Sequence, residues 1–363
     1  MRKSAAPLKR IDPPPYDRLV KQPASIAVLR FGAVGDVVLT APALEALERA
    51  WPDTRVLFVV KERLAPLVAH NPDVDEVVAL RERETAASLA RRLQERNVAA
   101  VLDLHGKLRS RLLRALLPRL PWVTWHKRDL RETLAVKLAH RPYRATMPFA
   151  DRYHAAVEQA VERELPRGRL RYHPGPDDVA AADRALREAG VDPTRPILGL
   201  APGARWETKR WPAERFGELA ARALAAGLQV AVQGTEDERP VTAKVCQGAP
   251  GVADLTGRLD LAALGGFVSR CAAFVSNDSG PMHLARALGV PTLALFGSTD
   301  PGMFEFTGHR ALALSLPCAP CSFFGRSSCP EKHFRCMLDL GVDAAWGALQ
   351  PLLEGGRRAF VSA

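Results

Sequence analysis

The sequence lacks the long apolar runs that membrane-spanning helices require. No segment of its 363 residues approaches the ~18–20 uncharged apolar residues of such a span. Residues 1–24 are basic and rich in proline, without the apolar core of a signal peptide. We therefore expect a disordered tail over residues 1–24 and a cytoplasmic protein, in which disulfides are rare.

Signatures of several cofactor and nucleic-acid sites are also missing. Gly32 and Gly35 are spaced GxxG rather than GxGxxG, which disfavours a nicotinamide cofactor. No RNA-binding aromatic motif or DNA-recognition pattern is present, so nucleic acid ranks below an acidic glycolipid or membrane face as a partner. The Asp-Val-Asp triplet at 73–75 follows an Asn-Pro pair and is predicted to be a surface turn rather than a metal-binding DxD motif.

Positive charge, by contrast, is abundant and concentrated. The net charge is +11, and residues 107–144 hold eleven Lys and Arg against two acidic residues, a net charge of +9. Such a cluster suits an anionic partner, and the alternative is a solvated basic helix face. The segment 105–117 is predicted to be an amphipathic helix with a basic face, and Trp122 and Trp125 follow it, a combination typical of membrane surfaces.

Length and periodicity predict two α/β domains. The chain exceeds the ~250–300 residues at which single cores stop growing. Short apolar strands alternate with helical segments, which indicates parallel sheets. The composition turns to Arg, Pro, Gly and Asp around residues 164–196, where we place the boundary. Strands are expected at 26–30, 56–60, 76–80, 99–105, 197–202, 228–234, 273–276 and 291–296, and helices at 86–96 and 177–189.

The stretch 270–300 carries the clearest signal for a ligand. A predicted strand runs into the loop 277–280, and Ser279 with Pro281 opens a helix that Gly289 ends. Ligands of open α/β sheets bind at the carboxyl ends of strands, and the free N–H groups of Ser279 and Gly280 suit an anion. A phosphate-bearing ligand is one hypothesis, and a capped helix without a ligand is the other.

Two more loops could complete such a site. Asp36 enters a helix directly after the first strand, either as a carboxylate favoured by the helix dipole or as a proton acceptor facing the cleft between the domains. Lys209 precedes a helix with Pro212 in its first turn, where a cation is unfavourable unless an anion lies between them. This loop is predicted to be a second wall of the phosphate site, with Thr208 as a hydroxyl donor.

Four motifs together resemble glycosyltransferase family 9, the ADP-heptose:lipopolysaccharide heptosyltransferases. They are RFGAVGDVVLTAPAL, APGARWETKRWPAERF, LTGRLDLAALGGFVSRCAAFVSNDSGPMHLARALGVPTLALFGSTDP and CAPCSFFGRSSCPEKHFRC. The resemblance covers residues 25–350 and implies a GT-B fold, two Rossmann-like doubly wound domains facing a central cleft. Residues 25–165 would bind the acceptor, 166–195 would link the domains, 196–345 would bind the nucleotide sugar, and 346–363 would pack back on the first domain.

The resemblance also implies roles by position. Asp36 matches the general base that deprotonates the acceptor hydroxyl in an inverting displacement, and Lys209 matches a lysine near the donor diphosphate. The implied donor-binding residues are Gly203, Thr208, Lys209, Asp278, Ser279, Gly280 and His283. For His283 we expect a hydrogen bond to the donor rather than catalysis. Because lysine and helix N–H groups can stabilise the leaving diphosphate, no catalytic metal or redox cofactor is expected.

The implied partners are ADP-heptose and the acidic inner core of lipopolysaccharide, met at the cytoplasmic face of the inner membrane. Lys107, Arg109 and Arg111 are candidate acceptor contacts. Three alternatives remain: another nucleotide-sugar-dependent transferase, a nucleotide-sugar epimerase on the same fold, and a noncatalytic protein that binds nucleotide sugar or a membrane surface. The resemblance leaves open whether the acceptor sugar is Kdo or a first heptose.

Four of the six cysteines fall close together. Cys318, Cys321, Cys329 and Cys336 are separated by two, seven and six residues. In a cytoplasmic protein this spacing predicts a structural zinc site, in which His333 could replace one thiolate. Free thiols packed in a loop are the alternative. Cys246 and Cys271 are isolated and are predicted to be core residues.

Overall fold

The computed structural model describes residues 21–125, 144–145 and 147–361 of the chain. Most of the predicted tail, residues 1–20, lies outside the described residues, as do residues 362 and 363. Part of the basic segment is also outside them, namely Lys127, Arg128, Arg131, Lys137 and Arg141. Among the helices that are described, none is both long enough and apolar enough to cross a membrane.

The first domain is built on a five-stranded parallel sheet in the order β3-β2-β1-β4-β5. Its strands are β1 (Ser25–Leu29), β2 (Arg55–Lys61), β3 (Glu76–Leu80), β4 (Ala100–Asp103) and β5 (Trp122–Thr124). The helices are α1 (Val34–Val38), α2 (Ala41–Ala50), α3 (Ala86–Glu95), α4 (Leu108–Leu116) and α5 (Phe149–Val161). Helix α3 begins where the Thr85 hydroxyl accepts a hydrogen bond from Ser88 N–H, and it buries Leu89 and Leu93 on one face.

The second domain is built on a six-stranded parallel sheet in the order β11-β10-β9-β6-β7-β8. Its strands are β6 (Ile197–Ala201), β7 (Gln229–Val232), β8 (Ala253–Asp254), β9 (Cys271–Asn277), β10 (Thr292–Phe296) and β11 (Arg310–Ala313). Its helices are α6 (Pro176–Glu188), α7 (Ala213–Ala225), α8 (Arg239–Gly248), α9 (Leu261–Ser269), α10 (Gly280–Ala287), α11 (Arg335–Leu338) and α12 (Val342–Val361).

Both sheets are covered by helices, so their central strands are apolar along their whole length. Every residue of β1 and of β9 is buried, as expected for parallel strands with helices on both faces. The predicted two α/β domains with parallel sheets are thereby confirmed. Strands β5, β8 and β11 were not predicted, because they are edge strands of two to four residues and none carries a long apolar run.

The tryptophans predicted to lie at a membrane surface are core residues instead. Trp122 lies in β5 with 2% of its surface exposed, and Trp125 is 6% exposed. The Trp122 indole N–H donates to the carbonyl of Leu117, and the Trp125 ring meets Tyr153 edge-on. The indication from these two tryptophans was wrong, because Trp122 lies in the edge strand β5 and Trp125 follows that strand directly, so both rings pack in the core.

Two helices that were expected to lie outside the second domain, one in the predicted linker and one at the end of the chain, pack on it. Helix α6, inside the predicted linker, packs on α9 so closely that a Cβ on Gly266 would lie 2.3 Å from the carbonyl oxygen of Asp178. Helix α12 packs on β9, β10 and α7, whereas the resemblance implied packing on the first domain. Its apolar side chains Ala345, Leu349 and Leu353 form one face at spacings of four residues, and this face joins the core of the second domain.

Candidate active site

Asp36 lies on α1, just beyond the carboxyl end of β1. Its Oδ2 is 2.5 Å from Nη2 of Arg30 and accepts a hydrogen bond of 3.1 Å from the N–H of Ala33. The hydroxyl of Tyr153 donates to Oδ1 at 3.4 Å. The Asp36 side chain is 34% exposed and that of Arg30 only 5%. The carboxylate is therefore held in one place yet open to the cleft.

The electrostatics keep this carboxylate ionised. Burial on its own would raise the pKa of Asp36, but the charge of Arg30 and the hydrogen bonds from Ala33 and Arg30 outweigh it and hold the pKa below its ordinary value. Asp36 is then a proton acceptor at neutral pH.

Arg30 and Tyr153, which fix Asp36, were not predicted from the sequence. Arg30 Nη1 donates to the carbonyl of Leu104 at 2.6 Å, and its guanidinium lies 5.3 Å from the centre of the Tyr153 ring. A charged residue that ends an otherwise apolar strand was the available signal for Arg30, because a buried charge needs a partner. Tyr153 comes from α5, more than 100 residues away, and carried no local signal.

The second domain brings Lys209 and Asp278 together. Lys209 Nζ lies 2.6 Å from Oδ2 of Asp278 and 3.3 Å from its carbonyl oxygen. The Thr299 hydroxyl donates to the same Oδ2 at 2.6 Å. Burial would raise the pKa of Asp278, but the Lys209 charge and these hydrogen bonds hold it below its ordinary value. An ammonium has three donors, and the described residues offer Lys209 these two oxygens of Asp278, so one N–H can bind an oxygen of a ligand.

Buried polar groups connect the segment after β6, which carries Lys209, to the end of β9, which precedes Asp278. The Asn277 side chain donates to the carbonyl of Pro202 at 2.7 Å and accepts from the N–H of Trp211 at 3.1 Å. Gly203 allows the first loop to approach Glu238, since a Cβ there would lie 2.0 Å from Oε1 of that carboxylate. The loops that were predicted to form one site therefore lie side by side, joined by Asn277 and by the Lys209–Asp278 pair.

Thr208 does not serve as the predicted hydroxyl donor to a ligand. It is 2% exposed, and its hydroxyl lies 2.9 Å from that of Ser298 and accepts from the N–H of Arg326 at 2.8 Å. These bonds use the hydroxyl inside the protein, so Thr208 positions the loop that carries Lys209.

The side of the site that carries Asp36 and the side that carries the Lys209–Asp278 pair meet where α1 contacts α10. A Cβ on Gly35 would lie 2.2 Å from Cδ2 of His283, and a Cβ on Gly280 would lie 2.9 Å from Cγ1 of Val34. Ser279 and Gly280, at the amino end of α10, therefore lie close to the start of α1, which bears Asp36. The site brings the Asp36 carboxylate of one domain close to the amino end of α10 and to the Lys209–Asp278 pair of the other.

His283 is a neutral packing residue at this junction. Its ring lies 4.7 Å from that of Phe304, nearly perpendicular to it, and its Nδ1 has no hydrogen-bond partner among the described residues. Burial, helped by the Arg286 charge, lowers its pKa to about 3. The imidazole is then uncharged at neutral pH and does not act as an acid there, and its expected hydrogen bond to the donor stays a prediction.

We predict that His283→Gln flattens the pH dependence of stability. Below pH 6.5 the unfolded chain protonates this histidine, whereas the folded chain does so only near pH 3. The free energy of unfolding therefore falls as pH decreases through this window, by at most about 1.4 kcal/mol per pH unit. Urea unfolding between pH 7 and 5 should show a smaller slope for the variant. His70→Gln, at a half-exposed histidine, is the control, and equal slopes for wild type and His283→Gln would contradict the prediction.

Comparison with known families agrees with this geometry. The model of glycosyltransferase family 9 (heptosyltransferase) matches residues 86–334. The chain belongs to this family. A lipopolysaccharide heptosyltransferase 1 from Pseudomonas aeruginosa is 32% identical over 332 residues, which are 87% of this chain and 91% of the relative.

Solved structures show that the fold is that of the same family, GT-B. A glycosyltransferase family 9 structure from Veillonella parvula has a TM-score of 0.76 at 23% identity and covers 92% of this chain and 98% of its own. An Escherichia coli heptosyltransferase with ADP-2-deoxy-2-fluoro heptose has a TM-score of 0.64 at 19% identity, covering 90% and 99%.

The candidate acceptor contacts lie at the start of α4. Lys107 and Arg111 are exposed and Arg109 is half-buried. Strand β4, which precedes this helix, is the neighbour of β1 in the sheet, so the start of α4 and Asp36 are at the same edge of the first domain. Contacts between these three residues and an acceptor stay a prediction.

The four clustered cysteines are free thiols, and their sulfur atoms are not arranged as the ligands of one metal ion. Cys318 Sγ lies 3.7 Å from Nε2 of His333, and the N–H of Phe334 donates to Cys329 Sγ at 3.4 Å. Over the described part of the chain, no three His, Cys, Asp or Glu side chains are arranged to hold a metal ion. The structure therefore does not supply the geometry of a zinc site.

Zinc binding stays a prediction from the cysteine spacing, and metal analysis of the purified chain tests it. The spacing predicts one zinc ion per chain, lost in Cys318→Ser and retained in Cys246→Ser. Cys246 is a suitable control because it is half-buried on α8, away from the cluster, and not fully in the core as predicted. Wild-type protein with no zinc and four titratable thiols at these positions would contradict the prediction.

Proposed function

We propose that this protein transfers heptose from ADP-heptose to the inner core of lipopolysaccharide, with inversion at the anomeric carbon. The observation that carries the proposal is the placement of ionised, accessible Asp36 next to the amino end of α10 and the Lys209–Asp278 pair. The names of the relatives support the choice of sugar and acceptor, and the bound analogue of the E. coli structure supports the choice of donor.

The proposed reaction is a single displacement. The acceptor hydroxyl oxygen attacks the anomeric carbon while Asp36 takes its proton, and the bond from that carbon to the diphosphate oxygen breaks with its electron pair leaving on ADP. The remaining N–H of Lys209 and the free N–H groups of Ser279 and Gly280 stabilise the negative charge that develops on the diphosphate. With these groups in place, we propose that the reaction needs no catalytic metal or redox cofactor.

An assay of ADP release tests the proposal and separates it from the alternatives. Purified protein is supplied with ADP-heptose, with or without a heptose-free inner-core acceptor, and with or without EDTA. Acceptor-dependent ADP release that survives EDTA is the expected result. Release of sugar epimer without acceptor would instead indicate an epimerase, and nucleotide binding without turnover would indicate a noncatalytic binding protein.

We further propose that α4 contacts the cytoplasmic face of the inner membrane. The helix buries Ser110 and Leu113 but exposes three leucines at spacings of four residues: Leu108 (73%), Leu112 (51%) and Leu116 (45%). Exposed Lys107, Arg111 and Arg119 surround this apolar stripe. An apolar stripe bordered by cations is typical of helices that lie in the interface of an anionic membrane.

Replacing these three leucines with glutamine should weaken membrane binding. Because each leucine would lose its burial among lipid chains, the partition coefficient onto vesicles of phosphatidylethanolamine and phosphatidylglycerol should fall about 10- to 100-fold. Vesicle co-sedimentation measures this. Leu338→Gln, at a leucine of the second domain that is as exposed as Leu116 (44%), should bind like wild type, and an unchanged triple variant would count against α4 as the contact.

A further inference from the structure

A cavity of about 270 Å³ lies between the two domains, next to the candidate active site. The first domain contributes Leu39, Pro42 and Ala150 to its wall, and the second contributes Arg286 and residues 303–305, 307 and 309. The connecting residues 167–170 complete it. Phe304 is shared with the site, since its ring packs on His283. A ligand in this cavity would touch both domains at once.

Arg286 is the unusual residue of this cavity. It is 4% exposed, and Nη2 donates to the carbonyl of Glu305. Nε and Nη1 are buried and have no hydrogen-bond partner among the described residues. The guanidinium lies 4.7 Å from the centre of the Phe306 ring, which offsets part of the cost of burying its charge. Two nitrogens with three N–H groups are still left without an acceptor among the described residues, which is costly for a buried cation.

Among the described residues no carboxylate forms an ion pair with Arg286, although the charges of Glu305 and Asp278 act on it without direct contact. Glu305, the one carboxylate that lines the cavity, pairs through its side chain with Arg167, which also pairs with Asp151 at 2.7 Å. Arg169 lines the cavity as well, with its side chain 75% exposed and 3.6 Å from Glu45. His309 is uncharged at neutral pH, because burial and Arg286 lower its pKa to about 4. The lining therefore holds three guanidinium groups against one carboxylate.

We propose that this interdomain cavity is a binding site for an oxyanion, a phosphate or carboxylate group that accepts hydrogen bonds from Arg286. Oxygen acceptors of this kind match guanidinium donors and form strong, charge-assisted hydrogen bonds with them. The volume suits one small polar group rather than a nucleotide sugar. The proposal rests on the cavity and its charges and does not depend on heptose transfer.

Saturable stabilisation by small anions tests the proposal. Thermal unfolding is followed against inorganic phosphate or galacturonate, at constant ionic strength set with NaCl and with excess ADP present to fill the donor site. We expect a saturable rise in Tm for wild type and for Arg184→Gln, an exposed arginine of α6. In Arg286→Met, which keeps the length of the side chain but not its donors, the apparent affinity should fall at least about tenfold. The response to phosphate or to galacturonate identifies which group the site takes.

A second pair of variants keeps Arg286 and tests the same cavity. Thr307 lines it and is exposed, so Thr307→Glu adds a competing carboxylate and Thr307→Gln adds a neutral side chain of similar size. The Glu variant should lose the response to anions and the Gln variant should keep it. This pair decides the question if Arg286→Met does not fold. No saturable response to either anion in wild type, or equal responses within both variant comparisons, would overturn the proposal.

Discussion

Asp36→Asn should lower kcat for acceptor-dependent ADP release by about 10²- to 10⁴-fold, the usual contribution of a positioned general base. The amide cannot take the proton of the acceptor hydroxyl, although its oxygen can still accept a hydrogen bond from Arg30. ADP is proposed to bind to the other domain, near Lys209, so its Kd should stay nearly unchanged. Steady-state kinetics together with calorimetric titration of ADP measure the two effects separately.

The control for this variant is Asp53→Asn, an exposed aspartate of the same domain, which should behave like wild type. The thermal unfolding of Asp36→Asn must also be compared with that of wild type, because Arg30 is buried and loses its ionic partner. A folded Asp36→Asn that keeps most of its rate would remove Asp36 from the mechanism. A parallel loss of rate and ADP affinity would point to a structural role.

Local sequence signals predicted the elements near the site with small errors at their ends. The apolar run at 273–276 proved to be the inner part of β9, Cys271–Asn277. The helix opened by Ser279 and Pro281 is α10, and Gly289 beyond it has φ +71°, a left-handed conformation that favours glycine. A turn is present at residues 72–73, but the prediction of a surface turn was wrong for Asp73, which is 6% exposed and bound to Arg171 at 2.7 Å. The strand and the helix depend on residues close together in the chain, which is why their pattern was readable, whereas the burial of Asp73 depends on a residue 98 positions away.

Contacts between distant residues could not be predicted in the same way. Thr208 had the right chemistry for a ligand, but Ser298 and Arg326 use its hydroxyl. Helix α12 has an apolar face that could cover either domain, and only the packing in three dimensions selects the second sheet. The sequence pattern shows which residues are apolar or polar, whereas the groups that they bond to or pack against depend on the tertiary structure.

The close contact between the two domains determines which residues fit in the candidate site and which of them are charged. Gly35 and Gly280 are required there because a Cβ on either would collide with the opposite domain. The close contact also buries His283 and keeps it uncharged, so the charges that face the reaction are those of Asp36 and of the Lys209–Asp278 pair. In the proposed mechanism, proton acceptance and leaving-group stabilisation thus come from different domains.

Lys209→Met should have the second large effect, on both activity and stability. Loss of one preorganised donor to the leaving group typically costs about 10²- to 10³-fold in kcat. The substitution also leaves Asp278, which is 3% exposed in its side chain, without its cation. Breaking a buried pair in this way costs about 3–5 kcal/mol. Kinetics with ADP-heptose and urea unfolding measure the two losses.

The double variant Lys209→Met, Asp278→Asn separates the two roles of Lys209. Because the buried carboxylate is removed with its partner, stability should return towards that of wild type, whereas the activity should stay low for want of a cation beside the diphosphate. Lys244→Met breaks an exposed pair with Glu214, whose side chains are 57% and 61% exposed, and should cost no more than about 1 kcal/mol with full activity. Recovery of both stability and rate in the double variant would show that Lys209 only neutralises Asp278, and the leaving diphosphate would then depend on the N–H groups of α10 alone.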